Sequence, residues 1–301
     1  MSYDNEAIVR NAYLFVSAGN IRNELVRYDK HSGQFLPYLP AVNGTKFIFS
    51  RDGLWVAYVS VVDNTLWRSR VDGTERLQLT FPPMNANLVP SWSPDGSEIA
   101  FAAGIPGRPL QIFRASRDGG NPEPLTEGNH GLGDVTPSWS PDGKSLVFGE
   151  YASPSMDSPT HVWLLDLQTR KLTALPDSEG RGATAWSSDG RYISALAPEG
   201  KLLVFDFVTK KWSEIVKGST RWYAWSRDGK YIQFETVVKG ESVLKRVNVS
   251  NHKVQFITSL KDLGRNRVSW ATWLGVAPDD SPLALRNVSS YDIFALDWEL
   301  P

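Results

Sequence analysis

Six times along this chain a strand runs into a turn of the form Ser-x-Asp-Gly or a worn remnant of it, and no other feature constrains the fold as strongly. The copies are Ile48-Phe-Ser-Arg-Asp-Gly53, Pro90-Ser-Trp-Ser-Pro-Asp-Gly96, Thr136-Pro-Ser-Trp-Ser-Pro-Asp-Gly143, Ala185-Trp-Ser-Ser-Asp-Gly190 and Ala224-Trp-Ser-Arg-Asp-Gly229. The worn sixth is Val276-Ala-Pro-Asp-Asp-Ser-Pro-Leu283. In such a turn Pro presets φ at the second position, Asp tolerates the third and bonds nearby backbone, and Gly takes the left-handed residue. The marker aspartates Asp52, Asp95, Asp142, Asp189, Asp228 and Asp279 lie 43, 47, 47, 39 and 51 residues apart. A period of about 45 belongs to four-stranded propeller blades rather than to helical repeats.

Each unit carries a second hairpin, as in Leu66-Trp-Arg-Ser-Arg-Val-Asp-Gly73, Ile112-Phe-Arg-Ala-Ser-Arg-Asp-Gly119 and Val162-Trp-Leu-Leu-Asp-Leu167. Leu203–Phe207, Leu244–Val249 and Ile293–Trp298 repeat it, and a seventh copy, Glu24–Gly33, lies upstream with Gln34–Leu39 behind it. Seven second hairpins predict an all-β propeller of seven four-stranded blades, six being the alternative. It forms one domain over residues 1–301, with units near 6–39, 46–80, 88–126, 135–175, 184–216, 222–258 and 268–300. The last unit has only three strands of its own. The ring is therefore expected to close through the N-terminal segment, around Asn5–Val9, because open sheet edges must be protected.

These Trp-Ser-x-Asp-Gly copies resemble the WD40-like, or PD40, repeats of TolB-type β-propellers, and the resemblance runs from about Ala12 to Trp298. Glu24-Leu-Val-Arg-Tyr-Asp29, Leu77-Gln-Leu-Thr-Phe-Pro-Pro-Met84 and Ala295-Leu-Asp-Trp-Glu299 also resemble the C-terminal propellers of bacterial winged-helix transcription regulators. That resemblance implies a sensor or protein-interaction module. It does not imply DNA binding by these residues, since no winged helix is among them.

Composition bounds the rest. The chain is 41% hydrophobic and 12% aromatic, ample for a core, and its formal net charge of −1 gives no basic surface for nucleic acid. The absence of cysteine removes disulfides, thiolate metal sites and a Cys nucleophile. No apolar run approaches the roughly 18 residues of a membrane helix. The polar opening Met1–Glu6 is not a signal-peptide pattern. A strand pattern so close to the first residue suits an excised part of a longer bacterial protein, so cytoplasm and periplasm both stay open.

No G-x-S-x-G elbow, H-E-x-x-H helix or phosphate-binding loop occurs, and His31, His130, His161 and His252 are isolated. No catalytic residue, metal or cofactor is expected. The turn aspartates Asp52, Asp95, Asp142, Asp189 and Asp228 recur once per blade, as architecture does. Phe49, Trp92, Trp139, Trp186 and Trp225 hold one fixed offset from them and are expected to fill the wedges between blades. Recognition is expected where the repeats disagree, at the entry to the inner strands: Asn87, Asp134, Arg181, Arg221, Arg265 and Arg267, with His130 on a glycine-rich lead-in. Several arginines around a channel mouth would suit an anion or an acidic peptide. The Ser- and Pro-rich loop Tyr151–Pro159 is a second candidate. The expected function is non-catalytic binding by a monomeric propeller. A TolB-like envelope scaffold that binds a partner peptide in the channel is an alternative, as is a hydrolase or lyase with its site at the channel mouth.

Overall fold

The computed structural model describes residues 12–20, 22–86, 88–128, 133–150, 160–263 and 273–298. It shows six four-stranded antiparallel sheets and one two-stranded ribbon. From inner to outer strand, blade 1 comprises Gly44–Phe49, Trp55–Ser60, Leu66–Arg70 and Leu77–Gln78. Blade 2 comprises Ser91–Trp92, Glu98–Ala103, Gln111–Ser116 and Glu123–Pro124. Blade 3 comprises Asp134–Trp139, Ser145–Glu150, Val162–Asp166 and Leu172–Ala174. Blade 4 comprises Gly182–Trp186, Tyr192–Ala197, Lys201–Asp206 and Lys211–Val216. Blade 5 comprises Tyr223–Trp225, Tyr231–Val238, Glu241–Asn248 and Val254–Ser259. Blade 6 is built from both halves of the chain: Leu274–Val276 and Pro282–Asn287 inside, Asn23–Asp29 and Gln34–Pro37 outside.

The expected seven blades are therefore corrected to six. Asn23–Arg27 pairs residue for residue with Leu283–Asn287, so the upstream hairpin is the outer half of the last blade and not a blade of its own. With that edge taken, Ser290–Trp298 pairs instead with Ala12–Asn20 over nine residues, from Ala12 with Trp298 to Asn20 with Ser290. Of the hairpins Glu24–Gly33 and Ile293–Trp298 only the first belongs to a blade; the second lies in the ribbon. The segment Asn5–Val9 lies outside the described residues. Blade 6 packs Leu25, Leu283 and Leu285 against Phe49 of blade 1, and Val26 and Ala284 against Leu244 of blade 5.

Local chemistry explains the blades. In the turn Ser140–Gly143 the Ser140 hydroxyl donates to Asp142 Oδ1 (2.6 Å), and Asp142 accepts the Lys144 N–H (3.1 Å). Gly143 sits at φ 73° and its N–H reaches the Ser140 carbonyl (3.0 Å). Further up the inner strands of blades 1, 3 and 4, the register shifts between Thr45 and Ile48, Val135 and Ser138, and Gly182 and Ala185. Lys46, Thr136 and Ala183 sit in these bulges with φ of 56°, 52° and 51°, each six residues before its turn aspartate. Such bulges sharpen the twist that an inner strand needs near the propeller axis.

The slot before the turn fills the seams. Trp139 packs with Ala100, Ala102 and Ile112 of blade 2 as well as Leu146 and Phe148 of its own blade. Trp92 bridges blades 1 and 2, Trp225 bridges blades 4 and 5, and Trp186 packs on residues of blades 3 and 4. The indole N–H groups also cross seams. Trp92 Nε1 donates to the Ile48 carbonyl (3.0 Å), Trp139 Nε1 to the Ser91 carbonyl (3.1 Å), and Trp225 Nε1 to the Ala185 carbonyl (3.3 Å) and Ser194 Oγ (2.8 Å). Trp186 departs from the pattern, donating within its own turn to the Gly190 carbonyl (3.2 Å), while its backbone N–H reaches Ser138 Oγ (2.9 Å).

Candidate functional site: an aromatic cavity on the axis

Because all six inner strands end in these turns, their last residues converge on the axis and enclose a cavity of about 540 Å³. Phe49, Trp92, Trp139, Trp186 and Trp225 contribute five aromatic sides to its wall, and Val276 takes the sixth slot. The rim carries the variable residue of each Ser-x-Asp-Gly turn: Arg51, Pro94, Pro141, Ser188 and Arg227, with Asp189 beside Ser188. A concave, largely apolar hollow of this size with a few polar groups on its edge is the usual form of a ligand site.

Most polar atoms of the wall are already committed. Ser93, Ser140, Ser187 and Ser226 each donate to their turn aspartate at 2.6 Å. Each also accepts a backbone N–H, from Glu98 (2.9 Å), Ser145 (2.9 Å), Tyr192 (2.9 Å) and Tyr231 (3.0 Å) respectively. The Ser50 hydrogen bond holds the Asp52 carboxyl below the usual carboxylate range; partial burial opposes this, and the Leu54 N–H, Arg117 and Arg227 add to it. Asp95 and Asp142 are lowered in the same way, first by the Ser93 and Ser140 hydroxyls. These carboxylates are thus poor proton acceptors and the serines are locked donors, which suits a wall better than a reaction centre.

The ionic groups are unevenly spread. Arg227 of blade 5 reaches over blade 6 and donates to the carbonyls of Ser50 (2.6 Å) and Arg51 (3.0 Å) in blade 1. Its own N–H donates to Asp280 Oδ1 (2.6 Å) in the blade 6 turn. Arg51 is exposed. Blade 6 has Val276 in place of an aromatic ring and lies between the blades that carry Arg51 and Arg227.

The entry residues lie elsewhere. Asp134 is fully buried at the start of its strand, directly opposite Glu150, and donates its backbone N–H to the Leu110 carbonyl (2.9 Å). Glu150 accepts the Trp163 indole N–H (2.6 Å) and lies 4.0 Å from His161 Nδ1. Arg181 is turned onto the Trp212 ring, 4.9 Å from its centroid, and burial lowers its guanidinium below the usual range. Arg221 is exposed and its N–H donates to the Glu235 carbonyl (3.1 Å). None of the three lines the cavity. Asn87, His130, Arg265, Arg267 and the loop Tyr151–Pro159 lie outside the described residues. Among the described residues no three His, Cys, Asp or Glu come together to hold a metal. Sequence reasoning missed Arg51 and Arg227, although a signal was present: they occupy the one variable position inside an otherwise constant turn.

The geometry defines a six-bladed β-propeller with an aromatic axial cavity, and comparison with solved structures places the fold among TolB-like propellers. A TolB-type protein of Agrobacterium tumefaciens superposes with a TM-score of 0.67 at 16% identity, over 89% of this chain and 99% of the other. TolB from Acinetobacter baumannii gives 0.57 at 18% identity, over 95% and 80%. Oligogalacturonate lyase from Vibrio parahaemolyticus gives 0.60 at 10% identity, over 91% and 96%. At such identities the likeness is one of fold. No protein-family model and no curated protein matches the sequence.

Proposed function

We propose that this chain is a non-catalytic binding module whose recognition site is the axial cavity. One observation carries the reading: four wall serines, Ser93, Ser140, Ser187 and Ser226, have both their donor and an acceptor position occupied within their own turns. What the wall offers a visitor is aromatic and proline surface, two arginines, Asp189 and the serines Ser91, Ser138 and Ser188. The TolB-like fold supports a protein segment as one kind of ligand. The motif likeness to regulator propellers supports a sensor role, in which occupancy of the cavity is the signal. Among the described residues no helix is long and apolar enough to cross a membrane.

The test uses the wall's own indoles as reporters. Tryptophan fluorescence is titrated with a library of peptides and small molecules, and hits are repeated on Trp139→Leu and Trp186→Leu. Hits should weaken in both variants and be recovered chemically unchanged. Undiminished binding in both, or conversion of the bound compound, would overturn the reading.

A further inference from the structure

The uneven rim says more about the ligand than the cavity alone. The turn aspartates of blades 1 to 5 are spread around the ring, and each is bent back onto its own serine and a backbone N–H. The cationic groups are not distributed: Arg51 and Arg227 both flank blade 6. Across the axis, blade 3 presents Trp139 and Pro141. The cavity therefore has a guanidinium side and an apolar side. Arg227 spends one N–H on Ser50 and one on Arg51, which leaves three of its five donors unspent by those bonds. Among the described residues no carboxylate lies within ion-pair distance of the Arg51 or Arg227 side chains. An anion bound on this side of the cavity would form charge-assisted hydrogen bonds with the guanidinium groups.

We infer that the cavity takes an amphipathic acid, a carboxylate on an aromatic body, with the carboxylate between Arg51 and Arg227 and the aromatic body against Trp139 and Pro141. This rests on the binding reading above and adds to it the ligand's chemical class and direction. Both a free aromatic acid and a protein segment ending in an aromatic residue present that chemistry.

Matched pairs separate the possibilities. Naphthalene-1-acetate and its primary amide serve as the small-molecule pair; a short peptide ending in phenylalanine, as free acid and as C-terminal amide, serves as the segment pair. Binding is followed by tryptophan fluorescence on the wild type, Arg51→Ala and Arg51→Lys. Arg51 is exposed and its substitution removes no described hydrogen bond of its side chain, so folding is not at risk. At least one acid should bind about tenfold more tightly than its amide. The preference should shrink in salt, disappear in Arg51→Ala and return in part in Arg51→Lys. The pair that shows it identifies the source. Acid and amide binding alike, or a preference unchanged in Arg51→Ala, would overturn the inference while leaving the cavity a binding site. Failure of all four compounds to bind would overturn the inference itself, and the library titration then decides the broader reading separately.

Discussion

Ser140 and Asp142 are joined through one short hydrogen bond, 2.6 Å from hydroxyl to carboxylate, and the same Ser140 oxygen takes the Ser145 N–H at 2.9 Å. One buried oxygen thus closes the turn and starts the next strand. Ser140→Ala removes the donor and leaves the Ser145 N–H without that acceptor. A loss of about 1–3 kcal/mol is expected, read as a lower urea midpoint at unchanged slope. A change below a few tenths of a kcal/mol would show that the repeat's serine is dispensable.

The same bonds make stability acid-sensitive. The carboxyls of Asp52, Asp95 and Asp142 are held below the usual range by their serines. A group whose folded value is depressed contributes stability above its unfolded value and loses it as pH falls through the folded one. Urea midpoints should be flat near neutrality and fall once the pH drops below the usual carboxylate range. The triple variant Asp52→Asn/Asp95→Asn/Asp142→Asn should start lower and fall less steeply. Parallel pH profiles would assign the acid sensitivity to other groups.

Trp225 tests whether the seams depend on the indole N–H as well as the ring. Its N–H reaches Ser194 Oγ, itself bonded to the Ala185 carbonyl at 3.1 Å, inside a seam where Ser194 is fully buried. Trp225→Phe should cost about 1–2 kcal/mol, against about 3–5 kcal/mol for Trp225→Ala. A double-mutant cycle with Ser194→Ala should show coupling of about 1 kcal/mol. Additive effects would mean that only the ring matters.

Lys46 stands in an inner-strand bulge at 5% exposure, and burial pulls its ammonium down to about 8. The folded chain therefore holds that proton less tightly than the unfolded chain. The cost is complete below pH 8 and fades as the pH rises toward the ordinary lysine value. Lys46→Met should raise stability at neutral pH by roughly 1–3 kcal/mol, and the gain should shrink in alkali. A destabilised Lys46→Met would show that contacts of the ammonium outweigh its burial.

The blades were legible because their turns are local chemistry: Ser-x-Asp-Gly specifies its own backbone wherever it stands. Their number was not. Whether Asn23–Asp29 starts a blade or completes one depends on an edge offered by Pro282–Asn287, more than 250 residues away. Where the entry residues point was not legible for a related reason. Counting upstream found Arg181 at a strand entry, but its direction is set by Trp212, on an outer strand thirty-one residues later. Arg51 and Arg227 sit within the motif, and only the ring brings blades 1 and 5 to either side of blade 6.

Arg227 also bears on how the two ends of the chain are held together. It bridges blades 5 and 1 over the turn of blade 6, whose Pro278 lies so close beneath Gly53 that a Cβ there would meet it at 3.0 Å. Blade 6 is the one blade made from both ends of the chain, so nothing covalent joins its inner pair to its outer pair. Hydrogen bonds between Asn23–Arg27 and Leu283–Asn287, the Arg286–Glu24 ion pair, the ribbon of Ala12–Asn20 with Ser290–Trp298, seam packing and this clasp do that work. Arg227→Ala should lower stability by about 1–3 kcal/mol. The local readout is sharper: amide exchange should accelerate first in Asn23–Asp29 and Pro282–Asn287, while Ser145–Glu150 in blade 3 keeps its protection. Arg227→Lys carries the charge but not the fork that reaches two carbonyls, so it should resemble the alanine variant in exchange. Acceleration spread evenly over all six blades would mean that the clasp supports the ring as a whole and not its junction.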